Sequence, residues 1–528
     1  MARTDLVQQD VVSPDPTGDQ PLKGLRLLVT DLDLQQREHR GIAVYSKALL
    51  RALKAAGAET WLLTDFEPRL KDPGLKHLPA PAQELIFSAR VMEGLVSGHG
   101  GLRSPYWDAK LLKSRKVAKL RRLWLRLQEL LDQLAPRRYD MSRMRRVNLH
   151  EQVDSPYFRQ ERLGYFDDLD GIVCARHLYA NAIRRGLARR PHPLPIRLGS
   201  DFDGLITTCP LNLKTVDTGS FVQTVHDLIP LEYVPHLDHV ALFGQRLASS
   251  VAAHKLFVSQ ATRQKFELAY SGPHDPGGAV IVQPPSLALP EGPGRDLLKQ
   301  SVLRPCRRAR ARHGELTPFR YVLFNSSVEP RKNLLFAIKA YRLSGLAEQG
   351  IRLCVTGMLK GDDYSRAVGE QADASVLLTG YIDETTKATL FLHALAVLSP
   401  SLVEGFGIPV LDGACIGAPV IASPSGSHQE IKALHDFNRL IWLCDTLDPS
   451  HWGLAMRTIT EAELARIQDV DLEREQRLER YDRIGGAVFR EFQASVCEQI
   501  LAGLTDRSPN LLSRTATAST DLRHPEPG

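Results

Sequence analysis

Residues 400–413 read Pro-Ser-Leu-Val-Glu-Gly-Phe-Gly-Ile-Pro-Val-Leu-Asp-Gly, a glycine-rich turn between a short apolar strand and a helix. Gly405 and Gly407 allow the backbone to approach a ligand closely, and the free amides at the start of a helix favour an anion. Glu404 and Asp412 lie eight residues apart across this turn, and each carboxylate can accept hydrogen bonds from hydroxyl groups. The stretch predicts a strand-turn-helix unit that binds a polyhydroxyl ligand beside a phosphate. The alternative is an ordinary unit of a parallel sheet with Glu404 solvated at its rim.

A second strand and turn, residues 321–334, reads Tyr-Val-Leu-Phe-Asn-Ser-Ser-Val-Glu-Pro-Arg-Lys-Asn-Leu. Arg331 can offer a planar fork to phosphate oxygens, and Lys332 a mobile point charge. Cations at a helix N-terminus oppose the helix dipole unless an anion lies beside them. The pattern therefore predicts a phosphate site. The alternative is that the two cations simply begin an exposed helix.

The N-terminal half carries two further stretches of this kind. A strand, turn, helix and strand follow one another over residues 25–64, as in the first unit of a doubly wound domain. The turn contains Gly41 but no G-x-G-x-x-G, which argues against a dinucleotide oxidoreductase. A later apolar strand, 221–225, ends in His226 and Asp227. A neutral imidazole there can hydrogen-bond a sugar hydroxyl, and the alternative is a structural histidine.

Taken in order along the chain, these stretches resemble the motifs of retaining GT-B glycosyltransferases of family 4, the glycosyl transferases group 1. Glu404 and Asp412 match the family's E-x7-E signature, with Asp412 in the place of the usual second Glu. Residues 329–333 match its E-P-R-K-N segment, although Ser327 stands where many relatives have an arginine. Residues 225–230 match its V-H-D-x-x-P segment.

The resemblance implies a role for each matched residue. Arg331 and Lys332 would bind the donor diphosphate and stabilise the charge on the leaving group. Glu404 would bind the donor sugar, Asp412 the ribose, and His226 the sugar as well, so that the catalytic set is Glu404, His226, Arg331 and Lys332. The remaining residues expected at the donor site are Gly41, Gly405, Phe406 and Gly407.

The function that this resemblance implies is metal-independent transfer of a hexose with retention of the anomeric configuration. The donor would be a nucleotide-diphospho-sugar, with GDP-mannose the first candidate, and the acceptor a glycan or a lipid-linked glycan of a surface polysaccharide. No cofactor is expected beyond this substrate. Two alternatives stay open: a nucleotide-sugar epimerase of the same fold, and a catalytically silent binding or scaffold protein.

Composition is that of a globular protein with more than one core. A chain of 528 residues with 43% hydrophobic content favours two domains. Seven scattered cysteines without C-x-x-C spacing predict a reducing cytoplasm and no structural zinc. No apolar run of about 18 residues occurs, so no transmembrane helix is predicted, and the expected location is the cytoplasm, at the inner face of the membrane for a lipid-linked acceptor.

Alternating strand and helix patterns predict an α/β protein of the GT-B class, with two Rossmann-like doubly wound domains facing a cleft. The first domain is expected over residues 23–316, with an insertion at about 68–165, and the second over 317–480. A helix over 481–507 would cross back to the first domain. Residues 1–22 and 508–528 are rich in polar and turn-forming types and are expected to be disordered.

The basic character of the chain is concentrated in the insertion. Residues 103–147 hold fourteen Lys and Arg against four Asp and Glu, whereas the whole chain has a net charge of +6. Leucines at three- and four-residue steps predict a basic amphipathic helix over about 110–146. Three interpretations stay open: a packed helix with a solvated basic face, a peripheral membrane contact, and a nucleic-acid patch. No nucleic-acid module supports the third, so no nucleic-acid partner is expected.

Overall fold

The computed structural model describes two compact units. The N-terminal unit comprises the described residues within 20–258, 262–282 and 491–507, and the C-terminal unit those within 259–261 and 283–490. The C-terminal unit thus begins before the domain boundary predicted at residue 316. The described residues are 20–35, 41–68, 75, 77–97, 139–152, 161–188, 190–217, 219–233, 240–270, 272, 275–290, 292–300 and 319–507.

The N-terminal unit contains eleven strands among its described residues. They are β1 (Arg26–Thr30), β2 (Glu59–Thr64), β3 (Tyr139–Asp140), β4 (Arg145–Asn148), β5 (Gly171–Cys174), β6 (Leu194–Arg197), β7 (Gly204–Thr207), β8 (Leu213–Thr215), β9 (Ser220–Val225), β10 (His254–Phe257) and β11 (Gly278–Val280). Eight form one sheet in the order β11-β10-β9-β7-β1-β2-β5-β4, and β3, β6 and β8 form a small second sheet.

The large sheet is parallel except at its edge, where β4 pairs antiparallel with β5. The chain first runs from β1 to β2 and β5, and later returns on the other side of β1 with β7, β9 and β10. The strand order therefore reverses at β1 and β7. In open α/β sheets, ligands bind outside the carboxyl ends of the strands at such a reversal.

Six α-helices begin among the described residues of 42–270. They are α1 (Ile42–Ala55), α2 (Ala80–Ser97), α3 (Leu178–Gly186), α4 (Ile229–Glu232), α5 (Val240–Ser250) and α6 (Gln260–Tyr270). The sequence of α1 is that of an amphipathic helix, because its apolar residues recur on one face. That face buries Tyr45, Leu49 and Leu53.

The predicted basic helix is wrong in its last part. Residues 139–140 and 145–148 are the strands β3 and β4, because β4 completes the edge of the large sheet by pairing with β5. Arg145 lies over the ring of Phe87, with 3.4 Å from its guanidinium carbon to the ring centroid, and pairs with Glu84 at 2.8 Å. The rest of that prediction, residues 110–138, lies outside the described residues. So do residues 1–19 of the end predicted to be disordered over 1–22, and all of the end predicted over 508–528.

The C-terminal unit contains a six-stranded parallel sheet. Its strands are β12 (Arg320–Phe324), β13 (Ile351–Thr356), β14 (Val376–Gly380), β15 (Val397–Ser399), β16 (Val420–Ala422) and β17 (Ile441–Leu443), in the order β14-β13-β12-β15-β16-β17. The order reverses between β12 and β15. Strand residues are buried almost throughout, as expected for a parallel sheet.

Helices accompany the strands of this unit. They are α7 (Pro293–Gln300), α8 (Leu334–Ser344), α9 (Asp363–Glu370), α10 (Glu384–His393), α11 (Ile408–Ile416), α12 (Gly426–Lys432), α13 (Pro449–Arg466) and α14 (Val470–Arg480). A π-helical turn, Tyr481–Gly485, follows α14 and leads into the last helix, α15 (Gly486–Arg507).

The C-terminal helix α15 packs, from residue 491 on, within the N-terminal unit. The ring of Phe492 meets Tyr45 edge-on at 5.8 Å, and Gln493 Nε2 donates to the carbonyl of Ala52 at 3.2 Å. At Gly503 the helix approaches β9 so closely that a Cβ would lie 2.3 Å from Ser220 Oγ. The predicted fold class is confirmed: two parallel α/β units with a C-terminal helix that returns to the first. No helix among the described residues is long and apolar enough to cross a bilayer.

Candidate active site

The reversal between β12 and β15 brings the two predicted motifs of the C-terminal unit together. These strands are parallel neighbours, paired at Leu323 and Val397, so the loops that follow them meet at the same edge of the sheet. Leu402 N donates to the carbonyl of Arg331 at 2.8 Å, which joins the two loops directly. The cations of one motif and the carboxylate of the other therefore lie in one cluster.

Glu404 is the centre of this cluster. One carboxylate oxygen, Oε1, forms an ion pair with Lys332 and accepts a hydrogen bond from Ser401 Oγ at 2.8 Å. The other oxygen lies 3.6 Å from Arg331 Nη1. Burial alone would raise the pKa of Glu404, but Lys332 and Arg331 outweigh it and lower the pKa to about 2. Glu404 is therefore ionised at neutral pH although its side chain is only 7% exposed.

Two further charges extend the cluster. Glu329 accepts from Arg331 Nε at 3.1 Å and from Lys360 Nζ at 2.7 Å. Burial opposes ionisation of Glu329, yet Arg331 and Lys360 lower its pKa to about 2. Burial lowers the pKa of Lys332 more than Glu404 raises it. The cluster thus holds three cations against two carboxylates, an excess of one positive charge.

The glycine turn after Glu404 has a strained geometry that only glycine tolerates at Gly407. Its φ is 110°, and a Cβ there would lie 2.7 Å from the ring of His428. Phe406 is buried, at 7% exposed. His428 Nδ1 lies 2.8 Å from the Ser423 carbonyl, while its buried Nε2 has no partner among the described residues. Burial lowers the pKa of His428, which favours a neutral ring under the turn.

Asp412 lies in helix α11 and, unlike Glu404, forms no ion pair among the described residues. It is completely buried, and Ser286 occupies both carboxylate oxygens: Ser286 N donates to Oδ1 at 2.6 Å and Ser286 Oγ to Oδ2 at 2.5 Å. Burial raises the pKa of Asp412 to about 6. The assignment of Asp412 to the ribose stays a prediction, and this geometry does not favour it.

The N-terminal unit places His226 at the carboxyl end of β9. The imidazole is buried, its Nε2 lies 2.7 Å from the carbonyl of Thr208, and its ring meets Tyr45 edge-on at 4.8 Å. Burial lowers the pKa of His226, so the ring is neutral near pH 7 and Nε2 carries the proton that Thr208 accepts. Gly41 lies at the start of α1 with a φ of 47°, a value that favours glycine.

A pair of buried acids occupies the ends of β1 and β2. Gln35 Nε2 donates to Asp31 at 2.9 Å and to Asp65 at 3.0 Å, and Tyr179 OH donates to Asp31 Oδ1 at 2.9 Å. The second oxygen of each acid has no partner within the part of the chain that the structure describes. Burial raises the pKa of Asp31 to about 7 and that of Asp65 to about 6. No group of three metal-ligating side chains is present in the described residues.

Sequence reasoning missed four residues around the predicted site. Ser401 lies inside the quoted stretch, and its spacing of three residues from Glu404 was the available signal. Lys360 and His428 follow different strands, and Ser286 lies more than a hundred residues before Asp412, so only tertiary contacts identify them.

Residues 307–463 match the family model described as Glycosyl transferases group 1. This part of the chain is similar to that family. The matched region contains both motifs of the cluster, from Glu329 to Glu404, and helix α11. O-antigen chain mannosyltransferase B of Escherichia coli is 28% identical to this chain over 115 residues. That alignment covers 21% of this chain and 30% of the relative, so the chain spans less than a third of the relative's length.

Solved structures are also similar to this chain. A glycosyltransferase from Rickettsia africae has a TM-score of 0.44 and 12% identity, covering 92% of this chain and 99% of the other. A sucrose-phosphate synthase from Thermosynechococcus elongatus has a TM-score of 0.43 and 14% identity, covering 94% and 100%.

Proposed function

We propose that this protein is a retaining glycosyltransferase that moves a hexose from a nucleotide-diphospho-sugar to an acceptor hydroxyl. The observation that carries the proposal is the environment of Glu404: a buried, ionised carboxylate held between Lys332 and Arg331 at the reversal of strand order. A carboxylate accepts hydrogen bonds from sugar hydroxyls, and the two cations suit phosphate oxygens. A nucleotide-diphospho-sugar presents both groups next to each other.

The excess positive charge of the cluster is the electrostatic basis for catalysis. Arg331 and Lys332 would bind the diphosphate of the donor, and Glu329 would hold Arg331 in orientation through its 3.1 Å contact. Negative charge develops on the diphosphate when the bond to the anomeric carbon breaks. Cations already fixed at that place stabilise the charge without reorganising, and positioning supplies the rest of the rate.

The proposed reaction uses no protein base. The bond between the anomeric carbon and the donor phosphate breaks, and the acceptor oxygen bonds to the same face of that carbon. The departing phosphate takes the proton of the acceptor hydroxyl, so the products are a glycoside of retained configuration and a nucleoside diphosphate. Neither a metal nor a cofactor takes part in this scheme.

GDP-mannose is the first candidate for the donor, and a glycan or lipid-linked glycan of a surface polysaccharide for the acceptor. The name of the Escherichia coli relative, an O-antigen chain mannosyltransferase, supports both assignments. Such an acceptor would place the reaction in the cytoplasm at the inner face of the membrane. His226 and Gly41 would contribute to the sugar site, and Gly405, Phe406 and Gly407 would line the donor site.

The test is donor turnover with water as a surrogate acceptor. Purified protein is incubated with GDP-mannose and with the common UDP, dTDP and ADP sugars, and release of nucleoside diphosphate is measured. Nuclear magnetic resonance then gives the anomeric configuration of the first product. The expected result is turnover of one donor class with retention, lost in Glu404→Gln. Epimerised donor without released nucleotide would identify an epimerase instead, and neither binding nor turnover of any donor would favour a silent scaffold.

A further inference from the structure

Helix α11 carries the glycine turn at its start and Asp412 in its middle. The helix begins at Ile408, directly after Gly407, so a displacement of the helix also displaces the turn and Glu404 before it. Both oxygens of Asp412 are bound by Ser286, through its N–H and its hydroxyl group. Asp412 thus holds α11 to the chain segment around Ser286.

The segment around Ser286 is itself anchored on its other side. Leu287 N donates to Tyr481 OH at 2.8 Å, and Tyr481 OH donates to the carbonyl of Leu287 at 3.1 Å. Tyr481 begins the π-helical turn that follows α14. Residues 286–287 therefore lie between two fixed elements, α11 and this turn, and transmit the position of one to the other.

The two ends of α11 are restrained as well. At its start, the ring of His428 packs so closely on Gly407 that no Cβ fits between them. At its end, Arg480 Nε donates to the carbonyl of Ala414 at 3.3 Å. Asp412 supplies the restraint in the middle of the helix. It makes this contact with both carboxylate oxygens, from a position that is fully excluded from solvent.

We propose that Asp412 is a positioning residue, which fixes the glycine turn and Glu404 through Ser286, and that it does not contact the ribose of the donor. The proposal rests on the proposed function, because the donor site that it positions is the one assigned there. A contact with ribose would require Asp412 to release Ser286. That would leave the half-buried N–H of Ser286 without its acceptor, which is unfavourable.

The shorter side chain of Asp412 fits this role. Asp is one methylene shorter than the Glu of the resembled motif, so its carboxylate lies closer to the axis of α11. In that position it reaches the backbone N–H of Ser286 at 2.6 Å. Two charged groups lie near Asp412, namely Lys387 and Glu384, and they form an ion pair with each other. Both carboxylate oxygens of Asp412 bind Ser286 instead.

The experiment compares Asp412→Ala, Asp412→Asn, Ser286→Ala and the double variant Ser286→Ala/Asp412→Ala. The measured quantities are kcat for the donor found in the turnover assay and Kd for GDP, UDP and their 2′-deoxy forms. We expect Asp412→Ala to lower kcat at least about tenfold while Kd changes less than about threefold. Asp412→Asn should restore most of kcat, because its amide can accept from Ser286 N and donate to Ser286 Oγ.

Two results separate positioning from ribose binding. If Asp412 acts through Ser286, kcat of the double variant is no lower than that of Asp412→Ala alone. In that case the ratio of Kd for a nucleoside diphosphate to Kd for its 2′-deoxy form is also the same in all variants. If Asp412 binds the ribose, that ratio moves towards one in Asp412→Ala, and Ser286→Ala adds its effect independently. Either of these two observations would overturn the proposal.

Hydrogen exchange provides a readout that does not depend on the proposed function. In Ser286→Ala and in Asp412→Ala, the amides of residues 404–411 should exchange faster than in wild type, whereas those of α1 should not change. Unchanged exchange over 404–411 would overturn the positioning role even if the protein bound no nucleotide. Faster exchange without nucleotide binding in wild type would support the restraint and count against the proposed function.

Discussion

The two units carry opposite charge arrangements at the same place in their sheets. At the reversal between β12 and β15, Lys332, Arg331 and Lys360 outnumber Glu404 and Glu329, and both acids have a pKa of about 2. At the reversal near β1, burial raises the pKa values of Asp31 and Asp65 instead, because no cation among the described residues offsets it.

This difference separates the chemistry that the two edges can perform. At the edge of the C-terminal unit the acids are ionised, and the cluster still has an excess of one positive charge, which suits a diphosphate. The edge at β1 holds acids that are partly protonated near neutral pH and bonded to Gln35 and Tyr179, which suits structure and neutral hydroxyl ligands. Among the described residues, the edge of the C-terminal unit is therefore the one whose charges suit an anion.

The largest expected effect is that of Glu404→Gln. The substitution keeps the shape of the side chain but leaves Lys332 and Arg331 without their shared carboxylate. Loss of a charge-assisted hydrogen bond to the donor sugar costs up to about 3 kcal/mol, which corresponds to roughly a 100-fold loss in kcat/KM for the donor. Turnover assays with exposed Glu370→Gln as the matched control check this. Equal loss in both variants would contradict the central role of Glu404.

Asp31→Asn tests the other side of the comparison. The raised pKa of Asp31 means that the folded state holds a proton more tightly than the unfolded state. The stability from this group is present below about pH 4 and is lost as the pH rises through about 7. Wild type should therefore lose about 2 kcal/mol relative to Asp31→Asn between pH 5 and pH 8, as measured by denaturant unfolding. Asp363→Asn, at a side chain 94% exposed, is the control.

Arg331→Ala should weaken nucleoside diphosphate binding about tenfold, near 1.4 kcal/mol, because a charge-assisted contact is lost. Arg331→Lys keeps the charge but not the fork, and it should recover only part of the affinity. Titration calorimetry of the three proteins measures this order. Full recovery by lysine would show that geometry at this position is unimportant.

The smallest effect is expected from Lys360→Ala. Its side chain is 45% exposed and its contact with Glu329 is close to solvent, so the substitution should change donor affinity by about 0.5 kcal/mol, two- to threefold. Lys339→Ala, at an exposed site on α8, is the matched control. A tenfold effect of Lys360→Ala would mean that Lys360 contacts the diphosphate directly.

The sequence was sufficient for the parts of the fold that depend on local pattern. Apolar strands followed by turns identified β12 and β15, and residues 329–332 and 404–407 were assigned from the turns themselves. The pairing of Lys332 with Glu404 was not predictable in this way, because it depends on which strands become neighbours. The contact of Asp412 with Ser286 was missed for the same reason. The end of the basic helix was mispredicted because pairing of β4 with β5 overrides helical periodicity.

The most direct test of the central claim is titration calorimetry of wild type and Lys332→Ala with GDP, UDP, dTDP and ADP. Lys332 is buried and paired with Glu404, so it is the cation placed deepest in the cluster. The expected result is that wild type binds one of these nucleotides selectively and that Lys332→Ala binds it more weakly by about 1 to 3 kcal/mol. Unchanged affinity in Lys332→Ala would contradict the assignment of the cluster to the donor diphosphate.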